Sequence, residues 1–338
     1  MMKALELVAA SRLEVVERPV PEPGPGELRI AVRACGICGS DLHGMDGSSG
    51  RRIPPVIMGH EASGVVDGVG EGAGDWKQGE RVTFDSTVWC GECGFCREGR
   101  VNLCDRRQVV GVSCGEFHRD GAFAEYVVVP ERIVHRLPDG LSFADAAFAE
   151  PVGVALHAAK RAGGLTGKSV LVVGAGLIGL LVVQASKRAG AERVVAVDLD
   201  ADRLALAIEL GADGASPPDA LQESDFDVAF EVVGVGLTVG LAVKSVRKGG
   251  RVVLVGNLSP EVPLPLQAVV TRELDVLGSC AIAGEYPEAL AAIADGSIRV
   301  RPLVSGVHPI ETGVEAFAEA ARKGALKVLI APARGEED

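Results

Sequence analysis

The sequence has no excess of positive charge, no long hydrophobic run and no internal repeat. Its 338 residues include 34 lysines and arginines against 46 aspartates and glutamates, which gives a net charge of −12. The acidic residues are spread along the chain, which argues against nucleic acid and against an anionic membrane surface as partners. The length suits about two domains, each able to bury its own core.

Apolar stretches are too short to cross a membrane. The longest spans residues 170–183 and contains three glycines, whereas a bilayer requires about 20 apolar residues. The first residues, Met-Met-Lys-Ala-Leu-Glu-Leu, bring in a glutamate before any apolar run of signal-peptide length. Half of the eight cysteines lie between residues 90 and 104, which favours metal binding over disulfides. We therefore expect a cytoplasmic protein.

Side chains that bind metals are concentrated between residues 36 and 61. Cys38 and His60 offer the sulfur and nitrogen donors that zinc prefers, and a catalytic zinc keeps three protein ligands and one open position. Asp41 is placed to orient a ligand imidazole. A single cysteine or histidine is as often a buried core residue, so this stretch alone leaves a metal site and a structural role equally open.

Four cysteines follow in a spacing that suits a single metal ion. Cys90, Cys93, Cys96 and Cys104 form a Cys-x2-Cys-x2-Cys run that is closed by a fourth thiol. A closed set of four thiolates leaves no position for substrate, so the predicted role is structural zinc. An iron–sulfur cluster is the alternative, but no proline follows the last cysteine and no second cluster motif is present.

A glycine-rich turn between a buried strand and a helix predicts a dinucleotide site. Gly174, Gly176 and Gly179 form the G-x-G-x-x-G pattern, and Asp198 ends the next buried strand. Asp198 is placed to bind ribose hydroxyls and to repel a 2′-phosphate, which favours NAD over NADP, while Arg203 weakens that preference. The residues predicted to bind the cofactor are Gly174, Gly176, Leu177, Ile178, Gly179, Asp198 and Arg203.

The secondary-structure pattern changes along the chain. Short alternating strands dominate before residue 140, and strands then alternate with helices from residue 168 onward. A helical stretch is predicted over 142–156, with Glu150 at a break because it precedes Pro151. The Glu150 carboxylate is either a solvated turn residue, a zinc ligand or a ligand to zinc-bound water. The tail Gly335-Glu-Glu-Asp is predicted to be disordered.

In this order the motifs resemble the zinc-dependent medium-chain dehydrogenases, near the polyol, butanediol and threonine dehydrogenases. The resemblance rests on Gly36-Ile-Cys-Gly-Ser-Asp-Leu-His, Gly59-His-Glu, the cysteines at 90–104, Glu150-Pro and the glycine turn. It implies an α/β protein with a GroES-like, β-rich catalytic domain over residues 1–152 and 281–338. It also implies a Rossmann, doubly wound parallel-sheet NAD domain over residues 153–280, and a homodimer or homotetramer.

The resemblance also implies the site residues and the reaction. Ser40 and His43 would form a proton relay beside the catalytic zinc, and hydride would pass from a secondary alcohol, a polyol or vicinal diol, to NAD. Glu150 stands where alcohol-type members carry a cysteine, as in polyol and threonine members. The implied metal ligands are Cys38, His60, Glu61 and Glu150 at the catalytic zinc and Cys90, Cys93, Cys96 and Cys104 at the structural zinc.

Three other functions remain open on the sequence. L-threonine 3-dehydrogenase activity would use the same ligands, and Arg51 with Arg52 would suit a sugar phosphate, although charged loop residues are usually solvated. A non-catalytic NAD-binding protein would keep only the fold. The segment Ser279-Cys-Ala-Ile-Ala-Gly-Glu-Tyr-Pro lacks the arginine that polyol members carry there. Its absence argues for a substrate smaller or less polar than sorbitol.

Overall fold

The chain divides into two compact units. The structure, a computed structural model, describes residues 1–221 and 224–332. The first unit comprises Met1–Glu150, Ile282–Asp295 and the segment from Val300, and the second comprises Pro151–Ala281 and Gly296–Arg299. The tail from Gly335, for which disorder is predicted, lies outside the described residues. No helix within 1–221 and 224–332 is both long and apolar enough to cross a membrane.

The first unit is built mainly from short antiparallel strands. Among its described residues, a seven-stranded sheet runs in the order β12-β6-β5-β3-β20-β19, with β11 also paired to β3. Its alternating apolar side chains pack into one core that includes Leu28, Ile30 and Phe84. The strands of this unit are β1 (Met2–Ala9), β2 (Arg12–Arg18), β3 (Glu27–Gly36), β4 (Val56–Ile57), β5 (Glu61–Val69), β6 (Arg81–Phe84), β7 (Thr87–Val88), β8 (Gln108–Val109), β9 (Val112–Ser113), β10 (His118–Arg119), β11 (Tyr126–Pro130), β12 (Val134–Arg136), β19 (Val304–Pro309) and β20 (Lys327–Ala331).

Helices in the first unit are short. They are α1 (Gly39–Gly44), α2 (Gly94–Arg97), α3 (Phe143–Ala146), α9 (Tyr286–Ala294) and α10 (Gly313–Ala320). Helix α1 begins directly after Cys38, whose sulfur accepts a hydrogen bond from the Ser40 amide. The motif of residues 36–43 is therefore a strand end followed by a helix start, and its polar side chains lie at one end of the large sheet.

The second unit is a parallel sheet flanked by helices. Its sheet order is β15-β14-β13-β16-β17-β18, which is the doubly wound 3-2-1-4-5-6 order of Rossmann domains. The prediction of a Rossmann fold is confirmed. The elements are β13 (Ser169–Val173), α5 (Leu177–Arg188), β14 (Arg193–Val197), α6 (Ala201–Glu209), β15 (Gly214–Ser216), β16 (Phe226–Glu231), α7 (Gly236–Ser245), β17 (Val246–Leu254), α8 (Leu266–Thr271) and β18 (Asp275–Gly278).

One local prediction is wrong. Glu150 does not lie at a helix break, because α4 (Ala149–Arg161) begins at the residue before it and continues through Pro151. Proline is tolerated in the first turn of a helix, where its missing N–H would have no intrahelical acceptor. The helix instead begins after the short α3, and Glu150 is held on its first turn.

Candidate active site and metal centres

The pairing of β3 with β5 brings the two halves of the first motif together. Gly36, the last residue of β3, is paired with Glu61, the first residue of β5. Because the strands are antiparallel, Cys38 just after β3 and His60 just before β5 lie at the same end of the sheet. Residues that are 22 positions apart in the chain thus become neighbours through strand register.

Donor atoms of Cys38, His60 and Glu61 form a compact set. One ligand atom from each residue lies within 4.8 Å of the others, and the three residues are buried or half-buried. Burial and the nearby charge of Glu61 raise the pKa of the Cys38 thiol to about 11. A divalent cation would relieve this cost, since thiolate, imidazole and carboxylate together are a donor set for zinc. The residues therefore fit a zinc ion.

The buried Asp41 carboxylate contacts both Cys38 and a buried arginine, Arg52. Asp41 is fully buried, and its carboxylate accepts hydrogen bonds from the Cys38 amide at 3.2 Å and from Arg52 Nη2 at 2.9 Å. The His60 Nδ1 atom lies 3.6 Å from Asp41 Oδ1 and has no hydrogen-bond partner within the part of the chain that is described. Asp41 thus lies beside the His60 imidazole, and the orienting role that the sequence predicts for it stays a prediction.

Arg52 corrects one expectation from the sequence. It is 4% exposed and is paired with Asp41, whereas Arg51 beside it is exposed. Arg52 Nη2 also donates to Ser40 Oγ at 3.4 Å. Its charge is therefore used inside the protein instead of being solvated on a loop or presented to an anionic substrate.

A buried lysine lies beside Glu61. The Lys327 ammonium on β20 is paired with Glu61 Oε2 and donates to the carbonyl oxygen of Ile37 at 2.8 Å. Both charged side chains are 2% exposed. Burial alone would lower the pKa of Lys327, but the charges of Glu61 and Cys38 outweigh burial and raise it. Lys327 is a cation at the centre of the site.

Glu150 lies near the three donor residues but outside their group. It is buried, and Ser86 Oγ donates to its Oε1 at 3.3 Å. Burial raises the pKa of Glu150 to about 8, with the charges of Glu61 and Cys38 acting in the same direction. The donor atoms that lie within 4.8 Å of one another belong to Cys38, His60 and Glu61, so Glu150 is a more distant carboxylate of this site.

Ser40 and His43 occupy one face of α1. Both side chains are exposed, and they are three positions apart, which places them on the same side of the helix. The Ser40 amide donates to the Cys38 sulfur at 3.5 Å. The Ser40 backbone is therefore tied to the first donor residue, its hydroxyl accepts from Arg52 Nη2, and the His43 imidazole lies one turn farther along the helix.

The four-cysteine lobe is assembled as a separate site. Its four sulfur atoms lie within 4.8 Å of one another, and the Cys90 and Cys96 sulfurs are 3.9 Å apart. A zinc–sulfur bond of about 2.3 Å predicts about 3.8 Å between the sulfurs of a tetrahedral site. An iron–sulfur cubane binds each thiolate through a different iron, which would spread the sulfurs farther apart. The lobe fits one structural zinc.

Backbone amides support this lobe. Cys93 N–H donates to the Cys90 sulfur at 3.4 Å, and Arg106 N–H donates to the Cys104 sulfur at 3.4 Å. Desolvation opposes ionisation of Cys90, but hydrogen bonds from the Cys93 amide and the neighbouring thiols lower its pKa to about 7. The amide donors thus favour a thiolate at Cys90, while burial and the neighbouring thiols raise the pKa of Cys96.

Each glycine of the predicted dinucleotide turn meets a different steric demand. Gly174 has φ +103°, a left-handed value, and a Cβ at Gly179 would lie 1.8 Å from the Gly174 carbonyl oxygen. A Cβ at Gly176 would find its nearest neighbour, Arg203 Nη1, 3.9 Å away. Gly174 and Gly179 are therefore required by the fold, while Gly176 leaves open space at the start of α5, where the helix N-terminus favours an anion.

Asp198 and Arg203 lie beside this turn. Asp198 accepts hydrogen bonds from the Ala175 amide at 2.6 Å and from the Asp200 amide at 3.0 Å. Arg203 Nε is buried and has no hydrogen-bond partner among the residues that the structure describes. The turn thus brings a carboxylate and a guanidinium to the same end of the parallel sheet, which is where dinucleotides bind in this fold.

Comparisons with known proteins agree with this geometry. A family model described as "Alcohol dehydrogenase GroES-like domain" matches residues 24–139, and one described as "Zinc-binding dehydrogenase" matches residues 178–295. The chain belongs to the zinc-dependent medium-chain dehydrogenases. This dehydrogenase is 34% identical to the sorbitol dehydrogenase of Bacillus subtilis, over 98% of each chain. The predicted GroES-like and Rossmann fold class is confirmed.

Solved structures of relatives cover the dehydrogenase almost completely. A protein of Sinorhizobium meliloti, named a zinc-binding dehydrogenase and bound to NADP, is 35% identical with a TM-score of 0.91, over 98% of this chain and 99% of that chain. The 2R,3R-butanediol dehydrogenase of Bacillus subtilis is 31% identical with a TM-score of 0.88, over 98% and 100%. The family resemblance predicted from the motifs is confirmed.

Sequence reasoning missed residues that reach the site from far along the chain. Lys327 is 266 positions from Glu61, and no spacing signal connects them. Tyr286 is also buried near the carboxylates, and its hydroxyl has no hydrogen-bond partner within the described residues. Arg52, by contrast, could be noticed in the sequence, because it follows another arginine just before the Gly-His-Glu motif.

Proposed function

We propose that this dehydrogenase oxidises the secondary hydroxyl of a polyol or vicinal diol and transfers hydride to NAD. The observation that carries the proposal is the set of Cys38, His60 and Glu61 donor atoms within 4.8 Å of one another. The sorbitol and butanediol dehydrogenases among its relatives act on substrates of this class by name. Cys90, Cys93, Cys96 and Cys104 would hold a second, structural zinc.

Each residue of the candidate site has a proposed role. Cys38, His60 and Glu61 would hold the zinc, which when bound acts as a Lewis acid that lowers the pKa of the substrate hydroxyl. The hydroxyl proton would pass to Ser40 Oγ and then through His43 to solvent. NAD, held at the glycine turn, would supply the acceptor for the hydride that converts the secondary alcohol to a ketone. Glu150 would be the more distant carboxylate of this zinc site.

We propose NAD as the preferred cofactor. The Asp198 carboxylate beside the glycine turn would accept hydrogen bonds from ribose hydroxyls and repel a 2′-phosphate. Gly174, Gly176 and Gly179 would admit the pyrophosphate, with Leu177 and Ile178 at the start of α5. Arg203 and the NADP-bound relative make NADP the proper comparison. Dinucleotide binding would belong to residues 153–280, and both zinc ions to residues 1–152 and 281–338.

The test is NADH formation by the zinc-loaded protein. The panel contains vicinal diols, polyols, threonine and sugar phosphates, each with NAD and with NADP. We expect turnover of a diol or polyol with NAD, and little with sugar phosphates because Arg52 is already paired with Asp41. A preference for threonine or for a sugar phosphate would overturn the proposed substrate class. No turnover of any substrate in the panel would overturn the proposed reaction.

A cysteine variant separates the metal from the cofactor. Cys38→Ser replaces a thiolate by a poor zinc ligand, so we expect loss of turnover and of one zinc equivalent, with NADH binding unchanged. Cys114→Ser is the matched control, because Cys114 lies outside both groups of donor atoms. Full turnover by Cys38→Ser would contradict the role of zinc in the reaction.

We further propose a cytoplasmic homodimer or homotetramer. Support comes from β18 at the edge of the parallel sheet, with Leu266 and Val270 on the neighbouring α8 64% and 65% exposed. An open sheet edge beside exposed apolar side chains favours pairing with another copy. Light scattering on the purified protein tests this, and a monomer at all concentrations would contradict it.

A further inference from the structure

We infer that Lys327 is a positioning residue of the candidate catalytic metal centre, where it restricts Glu61 to one-oxygen coordination and keeps a coordination position open. The inference rests on the proposed function, since it takes Cys38, His60 and Glu61 as the metal-binding set. The Lys327 side chain would act on the metal only through Glu61.

Strand pairing explains why a lysine reaches this point. Strand β20 is antiparallel to β3, with Leu329 opposite Gly36. Lys327, two residues earlier on β20, therefore lies beyond the end of β3, beside the segment that leads to Cys38. From there its ammonium contacts Glu61 and the Ile37 carbonyl. One cation thus ties the residue next to Cys38 to the residue next to His60.

Gly36 leaves space for the Lys327 side chain and for the Glu61 carboxylate. A Cβ at Gly36 would lie 2.3 Å from Glu61 Oε2 and 3.0 Å from Lys327 Cδ. Any larger residue at this position would push the carboxylate away from the ammonium. The absence of a side chain at Gly36 is therefore what lets the buried ion pair form.

Charge explains why the pair matters for a metal ion. Glu61 Oε2 is already bound to an ammonium. Chelation by both oxygens of Glu61 would bring zinc against that ammonium, and like charges repel strongly at low dielectric. Glu61 is left to bind through Oε1.

This restriction has a consequence for chemistry. An additional anionic oxygen on zinc would fill the position that an alcohol needs and would weaken the Lewis acid. Without Lys327, the site should therefore bind zinc more tightly, and turnover should be lower. A side chain that only supported the fold would have the opposite effect on zinc, because a loosened site loses its metal faster.

The experiment compares Lys327→Met with the unaltered dehydrogenase. Two quantities are measured: the rate of zinc release to a chromogenic chelator, and the visible spectrum of the cobalt-substituted protein, whose bands weaken as coordination number rises. We expect zinc release to slow by about tenfold, kcat/KM to fall by about 10–100-fold, the scale of outer-sphere effects, and the cobalt bands to weaken. Faster zinc release with an unaltered cobalt spectrum would overturn the inference, as would no change.

Two further variants test whether the effect of Lys327 depends on Glu61 and on the position of the lysine. Lys327→Met/Glu61→Gln removes both buried charges and so avoids an unpaired carboxylate. Because it lacks the second carboxylate oxygen, we expect no slowing of zinc release relative to Glu61→Gln alone, and equal slowing in both backgrounds would refute the route through Glu61. Lys3→Met removes an exposed ion pair with Glu311 in the same unit and is the matched control.

Zinc content of the unaltered protein separates this inference from the proposed function. Two zinc ions per chain, followed by failure of the Lys327→Met predictions, would overturn the role of Lys327 alone. A single zinc ion, retained by the four cysteines, would refute the catalytic metal centre and with it the role of Lys327.

Discussion

Arg51 and Arg52 are adjacent in sequence but have opposite environments. Arg52 is 4% exposed and pairs with the fully buried Asp41, while Arg51 is exposed. Asp41 in turn accepts from the Cys38 amide and lies near His60. A single arginine therefore pairs with the carboxylate that accepts from the backbone of one proposed zinc ligand and lies near the imidazole of another.

Replacement of this arginine should destabilise the first unit strongly. Arg52→Met leaves the Asp41 carboxylate buried without its cation, which typically costs about 3–5 kcal/mol of unfolding free energy. Arg51→Met should change that free energy by less than about 0.5 kcal/mol. Both tryptophans, Trp76 and Trp89, lie in the first unit, so urea unfolding followed by tryptophan fluorescence measures it. Equal unfolding midpoints for the two variants would refute the structural role of Arg52.

At the level of elements, the turn between β13 and α5 contains glycines with different tasks. Gly179 is pressed against the Gly174 carbonyl oxygen, whereas Gly176 faces open space. The first contact is a requirement of helix–strand packing and exists in the protein alone. The second becomes a requirement only when a pyrophosphate approaches the helix N-terminus.

Alanine variants should separate these two tasks. Gly179→Ala forces a shift of the turn and should lower the unfolding temperature of the second unit by several degrees. Gly176→Ala should leave that temperature unchanged and weaken NADH binding by about tenfold or more, because a methyl group would occupy the space for the pyrophosphate. Circular dichroism and an NADH fluorescence titration measure the two effects. Normal NADH binding by Gly176→Ala would contradict the proposed position of the cofactor.

Local patterns explain which elements could be predicted. The G-x-G-x-x-G turn and the cysteine spacing are contiguous, so the parallel-sheet unit and the four-thiolate lobe follow from sequence alone. Glu150 shows the limit of local rules, since a residue before proline is usually non-helical and here lies in the first turn of a helix. Proline is tolerated in the first turn of a helix, which is where Pro151 lies.

At the scale of the whole chain, the site depends on segments that meet only after folding. Lys327 reaches Glu61 because β20 returns to pair with β3. In sequence, Lys327 precedes an apolar run and has the appearance of a solvated strand end. No local pattern predicts such a contact, because it is fixed by strand order and register in the folded sheet. Cys38 and His60 were predictable because both lie in one short segment.

The same returning segment creates a pH-sensitive contact in the first unit. Tyr286, the first residue of α9, stacks on His135 of β12 with ring centroids 5.0 Å apart and planes 9° apart. Burial lowers the pKa of His135 from 6.5 to about 4. The imidazole therefore stays neutral in the folded protein over a range in which it would be protonated in the unfolded chain.

His135 should consequently make a contribution to stability that rises between about pH 4 and pH 6.5. In this window the unfolded chain binds one more proton at His135 than the folded protein, so the contribution of this residue to the unfolding free energy increases with pH, by up to about 3 kcal/mol. His135→Phe keeps an aromatic ring against Tyr286 but cannot titrate, and it should remove this contribution from the profile. Tryptophan-monitored urea unfolding at pH 5 and pH 7.5 compares the variant with the unaltered protein. Above pH 7 the two should differ only through packing, because His135 is neutral in both states there. Identical slopes of stability against pH below 6.5 would show that His135 is not the group that loses its charge on folding.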